Sequence, residues 1–150
     1  MSTAPSLEQN KATARRWFTD IIAHGELSVA DEIFAPHHLV HDPHAPPGGW
    51  ANGPESLKKI AGPFRVGFPD LEVTIEDQIA EGDKVVTRWS ATGTNTGSLQ
   101  GMPPTGKRVR VTGANVARLA GGQIVESWFN FDMLTLLRQL GMVPTPPESH

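Results

Sequence analysis

The chain has 150 residues, 38% of them hydrophobic and 19% charged, which is enough for one domain with a real core. Its formal net charge is -3 and its 13 Lys and Arg are scattered, so the basic footprint of a nucleic-acid binder is missing; no apolar run approaches the roughly 20 residues that span a bilayer. Cysteine and tyrosine are both absent, which excludes disulfides, thiol nucleophiles and a phenolic proton donor.

The stretch MSTAPSLEQNKATARRW lacks the apolar segment of a secretory signal, and with no cysteine a cytoplasmic location is expected. LEQNKATARRWFTDIIAHG sets Leu7, Ala14, Trp17, Phe18, Ile21 and Ile22 at helical spacing, with Gly25 as its stop. LSVADEIF repeats the pattern as a short second helix that ends before Pro36. PHHLVHDPHAPPGGWANG, with Pro43, Pro46, Pro47, Gly48, Gly49 and Gly53, reads as irregular. Pro54 suits the first position of a third helix, GPESLKKIAGPFRVGF, which Pro63 is expected to kink or shorten.

From Leu71 the period changes to two. LEVTIEDQIAEGDKVVTRWSATGTNTG holds two alternating runs around the turn Glu81 to Lys84. GMPPTGK, residues 101 to 107, is a Pro/Gly excursion without the spacing of a phosphate loop. RVRVTGANVARLAGGQIVESWFNF supplies two more strands around Ala120, Gly121 and Gly122, and MLTLLRQL is a short last helix stopped by Gly141. Helices first and an antiparallel meander second make an α+β fold, with the helices packed on one face of a curved sheet. One domain is expected over 1–150, with loose ends at about 1–6 and 142–150.

Asp132 stands directly before the last helix, where a side-chain oxygen accepts a backbone N–H. It reads as a structural cap, with an acid/base role as the alternative. His37, His38, His41, Asp42 and His44 are the densest titratable cluster. Three uses fit them: a polar loop bonded to backbone, a general base, or ligands for zinc or iron. As a proton shuttle the pick is His41, oriented by Asp42.

Several motifs carry a family resemblance: HDP at His41 to Pro43, GPESL at Gly53 to Leu57, FPDLEV at Phe68 to Val73 and EGDKVVTRW at Glu81 to Trp89. GTNTG at Gly93 to Gly97, GMPPTGK, and GGQIVESW with the later LLRQLG complete the set. In this order they resemble the SnoaL-like polyketide (ester) cyclases, within the nuclear transport factor 2-like superfamily. The resemblance implies a cone-shaped curved antiparallel sheet with N-terminal helices over an apolar pocket. It also implies frequent dimers or tetramers, and ring closure by aldol condensation without a metal or other cofactor. In those cyclases an Asp on the last strand works with a His on the strand before it. The corresponding positions here are Phe129 and Asn115, and neither can move a proton at neutral pH. A further His of the family's loop is Asn95 here, with a local backbone role expected. If Phe129 faces the pocket, strand parity sends Ser127 and Phe131 the same way and Trp128, Asn130 and Asp132 the other.

Trp17, Trp50, Phe64, Phe68, Trp89 and Phe129 would then line a cavity for a flat polycyclic or terpenoid ligand, Trp50 as its lid. Trp17 and Trp89 also read as plain core. Arg88 and Arg118 alternate outward as cross-strand charge partners. The first expectation is a cofactor-free, metal-free enzyme of the cyclase (lyase or isomerase) type acting on a hydrophobic carbonyl compound. Proton transfer would come from His41 and Asp42, or from a water held by Asn115. The alternatives are a non-catalytic binding module for an apolar small molecule, or an epoxide or lactone hydrolase or isomerase. A homodimer through the outward sheet face, at Val116 and Trp128, is expected, with neither nucleic acid nor membrane as partner.

Overall fold

Helix α1 (Leu7–Arg16) begins at a reciprocal cap: the Ser6 hydroxyl accepts the Gln9 N–H at 3.1 Å, and the Ser6 N–H donates to the Gln9 side chain at 2.7 Å. In the computed structural model, which describes residues 5–144, the chain continues as a π-helical segment, Trp17–Ile22, that buries Trp17, Phe18 and Ile21. The expected loose ends fall mostly on 1–4 and 145–150, outside the described residues; within them, Ser6 caps and Met142 packs against the core. A short turn, Leu27–Val29, leads into α2 (Ala30–Ile33). Helix α3 (Pro54–Gly67) starts on Pro54, whose missing N–H would be unpaired in a first turn anyway, and runs past Pro63 without stopping there.

The strands are β1 (Phe34–His41), β2 (Glu72–Glu81), β3 (Lys84–Thr94), β4 (Arg108–Ala120) and β5 (Gln123–Phe131), in one curved, open sheet of order β1-β5-β4-β3-β2. From β2 to β5 the chain is the antiparallel meander that its alternation predicts. Its tight turns use Gly82, Gly121 and Gly122 at φ 59°, 60° and 83°, a left-handed region that costs glycine nothing sterically. β1 is the departure. The first part of the stretch read as irregular, residues 36–41, is extended and pairs in parallel with β5, Val40 opposite Ser127 and His41 opposite Trp128, so the sheet is mixed; residues 42–53 are irregular as expected.

Helix α4 (Met133–Gln139) closes the described chain, and Leu136 and Leu140 pack with Val109, Leu99 and Phe68. Each fully buried apolar side chain of this kind contributes about 1.5–3 kcal/mol by leaving water, so this cluster is what holds α4 on the sheet. The larger core joins Trp17, Phe34, Val85, Ile124 and Phe129 between the helices and the inner face. On the outer face Ile79, Val86, Val116 and Trp128 are successive cross-strand partners, an apolar row from β2 to β5. Arg118 bonds Glu126 at 3.1 Å beside that row, and Arg88 lies 3.8 Å from Asp77. No helix among the described residues is long and apolar enough to cross a membrane.

Candidate functional site

Between α3, the π-helical segment and the inner face of β3 to β5 lies a cavity of about 180 Å³. Trp17, Trp50, Phe64, Phe68, Trp89 and Phe129 all border it. Phe129 stacks on Trp17 with ring centroids 5.2 Å apart, and Phe131 meets Phe64 edge-on at 5.8 Å. Such a wall offers large apolar area with few rotatable bonds. Trp89 can lie over β4 because its cross-strand partner is Gly113; a Cβ there would stand 2.5 Å from the indole.

Asn115 is the polar group among these rings. Its Oδ1 accepts the Trp89 indole N–H at 3.2 Å, and because an indole can only donate, the amide oxygen must be the atom that faces it. The amide nitrogen has no hydrogen-bond acceptor among the described residues, and the residue borders the cavity. Its two N–H donors are therefore without a protein acceptor among the described residues. An amide can hold a carbonyl or a developing enolate but cannot take up a proton.

Titratable groups border the cavity at Asp42, His44 and Lys59. Asp42 accepts the Trp50 indole N–H through Oδ2 at 2.9 Å and the His44 backbone N–H through Oδ1 at 2.9 Å, so the carboxylate ties Trp50 into the cavity wall. The His44 ring stands edge-on to Phe131 at 5.0 Å. His41 is elsewhere, which corrects its expected role. Its register opposite Trp128 places it on the outer face, where it stacks on that indole at 5.1 Å and bonds Glu126 Oε2 through Nε2 at 2.7 Å. Its side chain is 44% exposed and does not border the cavity, and Asp42 serves Trp50 and His44 instead of His41.

His38 turns inward, fully buried, with Nε2 2.8 Å from Ser127 Oγ. Burial pushes its pKa down to about 4, so it is neutral at pH 7. His37 is exposed. The histidines of this cluster are thus divided, His38 in the core, His44 at the cavity, His37 and His41 exposed, and no group of three or more His, Cys, Asp or Glu among the described residues stands close enough to hold a metal ion. Asp132 caps α4, accepting the Thr135 hydroxyl at 2.6 Å and the Thr135 N–H at 3.0 Å, and these bonds hold its carboxyl below the usual carboxylate range. Asn95 is buried and bonds Gly67 O, Gly97 O and both donors of Thr105, tying the β3–β4 connection to the end of α3.

Sequence reasoning missed Lys59 and Gln100 at the cavity and passed over His44 in favour of His41. Lys59 stands about 100° round α3 from the stripe of Ile60 and Phe64, so helical spacing does not mark it for the cavity. Nothing in the sequence marks Gln100 either, whose place depends on a left-handed backbone at φ 48°.

The family model of SnoaL-like polyketide cyclases matches residues 12–140, and the chain belongs to that family. Among curated proteins none matches its sequence. AclR from Streptomyces galilaeus, a candidate hydroxylase, is a similar solved structure: 26% identity, 95% of this chain and 91% of that one covered, TM-score 0.81. A candidate SnoaL-like polyketide cyclase from a Jannaschia species shares 28% identity over 96% and 99% of the two chains, with TM-score 0.80. IdmH from Streptomyces antibioticus, a candidate polyketide cyclase, shares 30% over 89% and 99%, with TM-score 0.76.

Proposed function

We propose that this member of the SnoaL-like family binds a flat, hydrophobic carbonyl compound, polyketide- or terpenoid-like, and promotes an intramolecular aldol-type ring closure with its own side chains. The observation that carries this is the Asn115 amide, with its two free N–H donors, set among aromatic walls that also include His44 and Asp42. The ligand oxygen seated on Asn115 Nδ2 gains stabilisation as it becomes an enolate. The proton leaving the α-carbon passes to a free ring nitrogen of His44, and the new alkoxide takes it back once the carbon–carbon bond has formed. The aromatic walls exclude water and hold the chain near its reactive conformer. By resemblance, Phe129 stands where related cyclases keep an acid, and proton transfer moves to His44.

One observation favours a non-catalytic binding module instead: the Phe129 ring, stacked on Trp17, fills that position with an apolar group. Hydrolysis or isomerisation of an epoxide or lactone would need a carboxylate–water pair, for which Asp42 is the acidic residue bordering the cavity. A panel of hydrophobic diketones assayed for binding and for ring closure separates these functions. His44→Gln should lower turnover by about 10²–10⁴-fold with binding little changed. Binding without turnover in the parent protein would establish the binding module. A twofold homodimer through the outer apolar row, and action in the cytoplasm, complete the proposal.

A further inference from the structure

Lys59 and its neighbour Lys58 differ in their partners. Lys58 donates to Asp31 at 2.9 Å and to Glu55 at 2.7 Å. Lys59 borders the cavity, and among the described residues no carboxylate oxygen lies within 4 Å of its ammonium. Asp42, which borders the same cavity, directs its two oxygens to Trp50 and to the His44 backbone. Lys59 is exposed at the edge of this cavity, where its ammonium meets solvent rather than a protein carboxylate.

A second feature lies on the β3–β4 connection. Leu99 and Met102 exchange backbone hydrogen bonds at 3.1 and 2.9 Å, closing a two-residue turn over Gln100 and Gly101. Both central residues have positive φ, 48° and 83°, and Gln100 is the one non-glycine residue among those described that does. Asn, Asp or Gly would fill that position with less strain. Gln instead contributes a long, exposed amide that borders the cavity and has no hydrogen-bond partner among the described residues. A strained backbone that delivers an unpartnered polar group to a cavity points to ligand contact.

We infer that the ligand carries a carboxylate, bound by Lys59 with help from the Gln100 amide, while its apolar carbonyl body fills the aromatic cavity. The inference rests on the binding function proposed above and names its substrate class: an amphipathic keto acid in preference to the neutral ester. Lys59 is then a specificity-determining residue, and the charge it reads lies apart from the oxygen held by Asn115.

The test uses 6-acetyl-2-naphthoate and its methyl ester as matched probes, titrated against the intrinsic tryptophan fluorescence of the full chain at low salt. The acid should bind about five- to tenfold more tightly than the ester, as an ammonium–carboxylate contact provides. Lys59→Gln should abolish that preference by weakening the acid alone, and Lys59→Glu should reverse it. Gln100→Gly should reduce the preference. Equal affinity for both probes in the parent, or a preference unchanged in Lys59→Gln, overturns the carboxylate assignment and leaves the cavity's function standing. Failure of both probes to bind overturns that function and this inference together.

Discussion

Asn115 and Phe129 are direct partners across β4 and β5. An amide with free N–H groups thus stands beside an aromatic ring that is itself stacked on Trp17. The pair gives the cavity one place to hold an oxygen and a flat apolar surface next to it.

Asn115→Leu should weaken a ketone ligand by about 1–3 kcal/mol while hardly affecting the analogue in which the carbonyl is a methylene. Calorimetric titration of both ligands against both proteins measures the difference. An equal loss for the two ligands would mean that the substitution only reshapes the cavity.

His41→Ala should leave ligand binding and turnover unchanged, since its ring lies on the outer face. The Glu126 carboxyl is held below the usual range first by its bond to His41, so this substitution should raise its pKa. Carboxyl chemical shifts followed across acid pH report that change.

Stability should fall with acid in a window set by His38. Its folded pKa of about 4 lies below the unfolded value of 6.5, so between those limits the unfolded chain binds more protons. Stability is then complete above pH 6.5 and declines toward pH 4, by up to about 3 kcal/mol. Urea unfolding of the parent and of His38→Gln across that range tests this; the variant should lose the slope, whatever its stability at neutral pH.

Asp132→Asn should melt near the parent, because Asn can accept the Thr135 N–H as Asp does. Asp132→Ala removes the acceptor and should lower the melting temperature by a few degrees. Thermal unfolding followed by circular dichroism distinguishes the two variants.

Val86→Lys should convert a dimer to monomer at micromolar concentration without unfolding it. Val86 is 37% exposed in the middle of the outer apolar row, where a charge would be buried on association. Sedimentation velocity of parent and variant is the measurement, and a monomeric parent would remove the dimer from the proposal.

The α+β order, the meander and the capped last helix were all legible because each depends on contacts close in sequence. Period-two alternation in EVTIEDQIAE and VVTRWSAT, glycines at 82, 121 and 122, and Asp132 ahead of MLTLLRQL need no distant partner. The aromatic side of the cavity followed from residue type and parity. β1 did not, because PHHLVH carries two charge-capable rings in a row and becomes a strand only by pairing with β5, about 87 positions away. A register irregularity between Phe34 and Leu39 then decides which histidine turns inward. That pairing buries His38 against Ser127 and sends His41 out to Glu126, while Asp42, just beyond the strand, reaches Trp50. Sequence could therefore determine which kinds of groups the site holds, whereas only the long-range pairing decided which of them face the cavity.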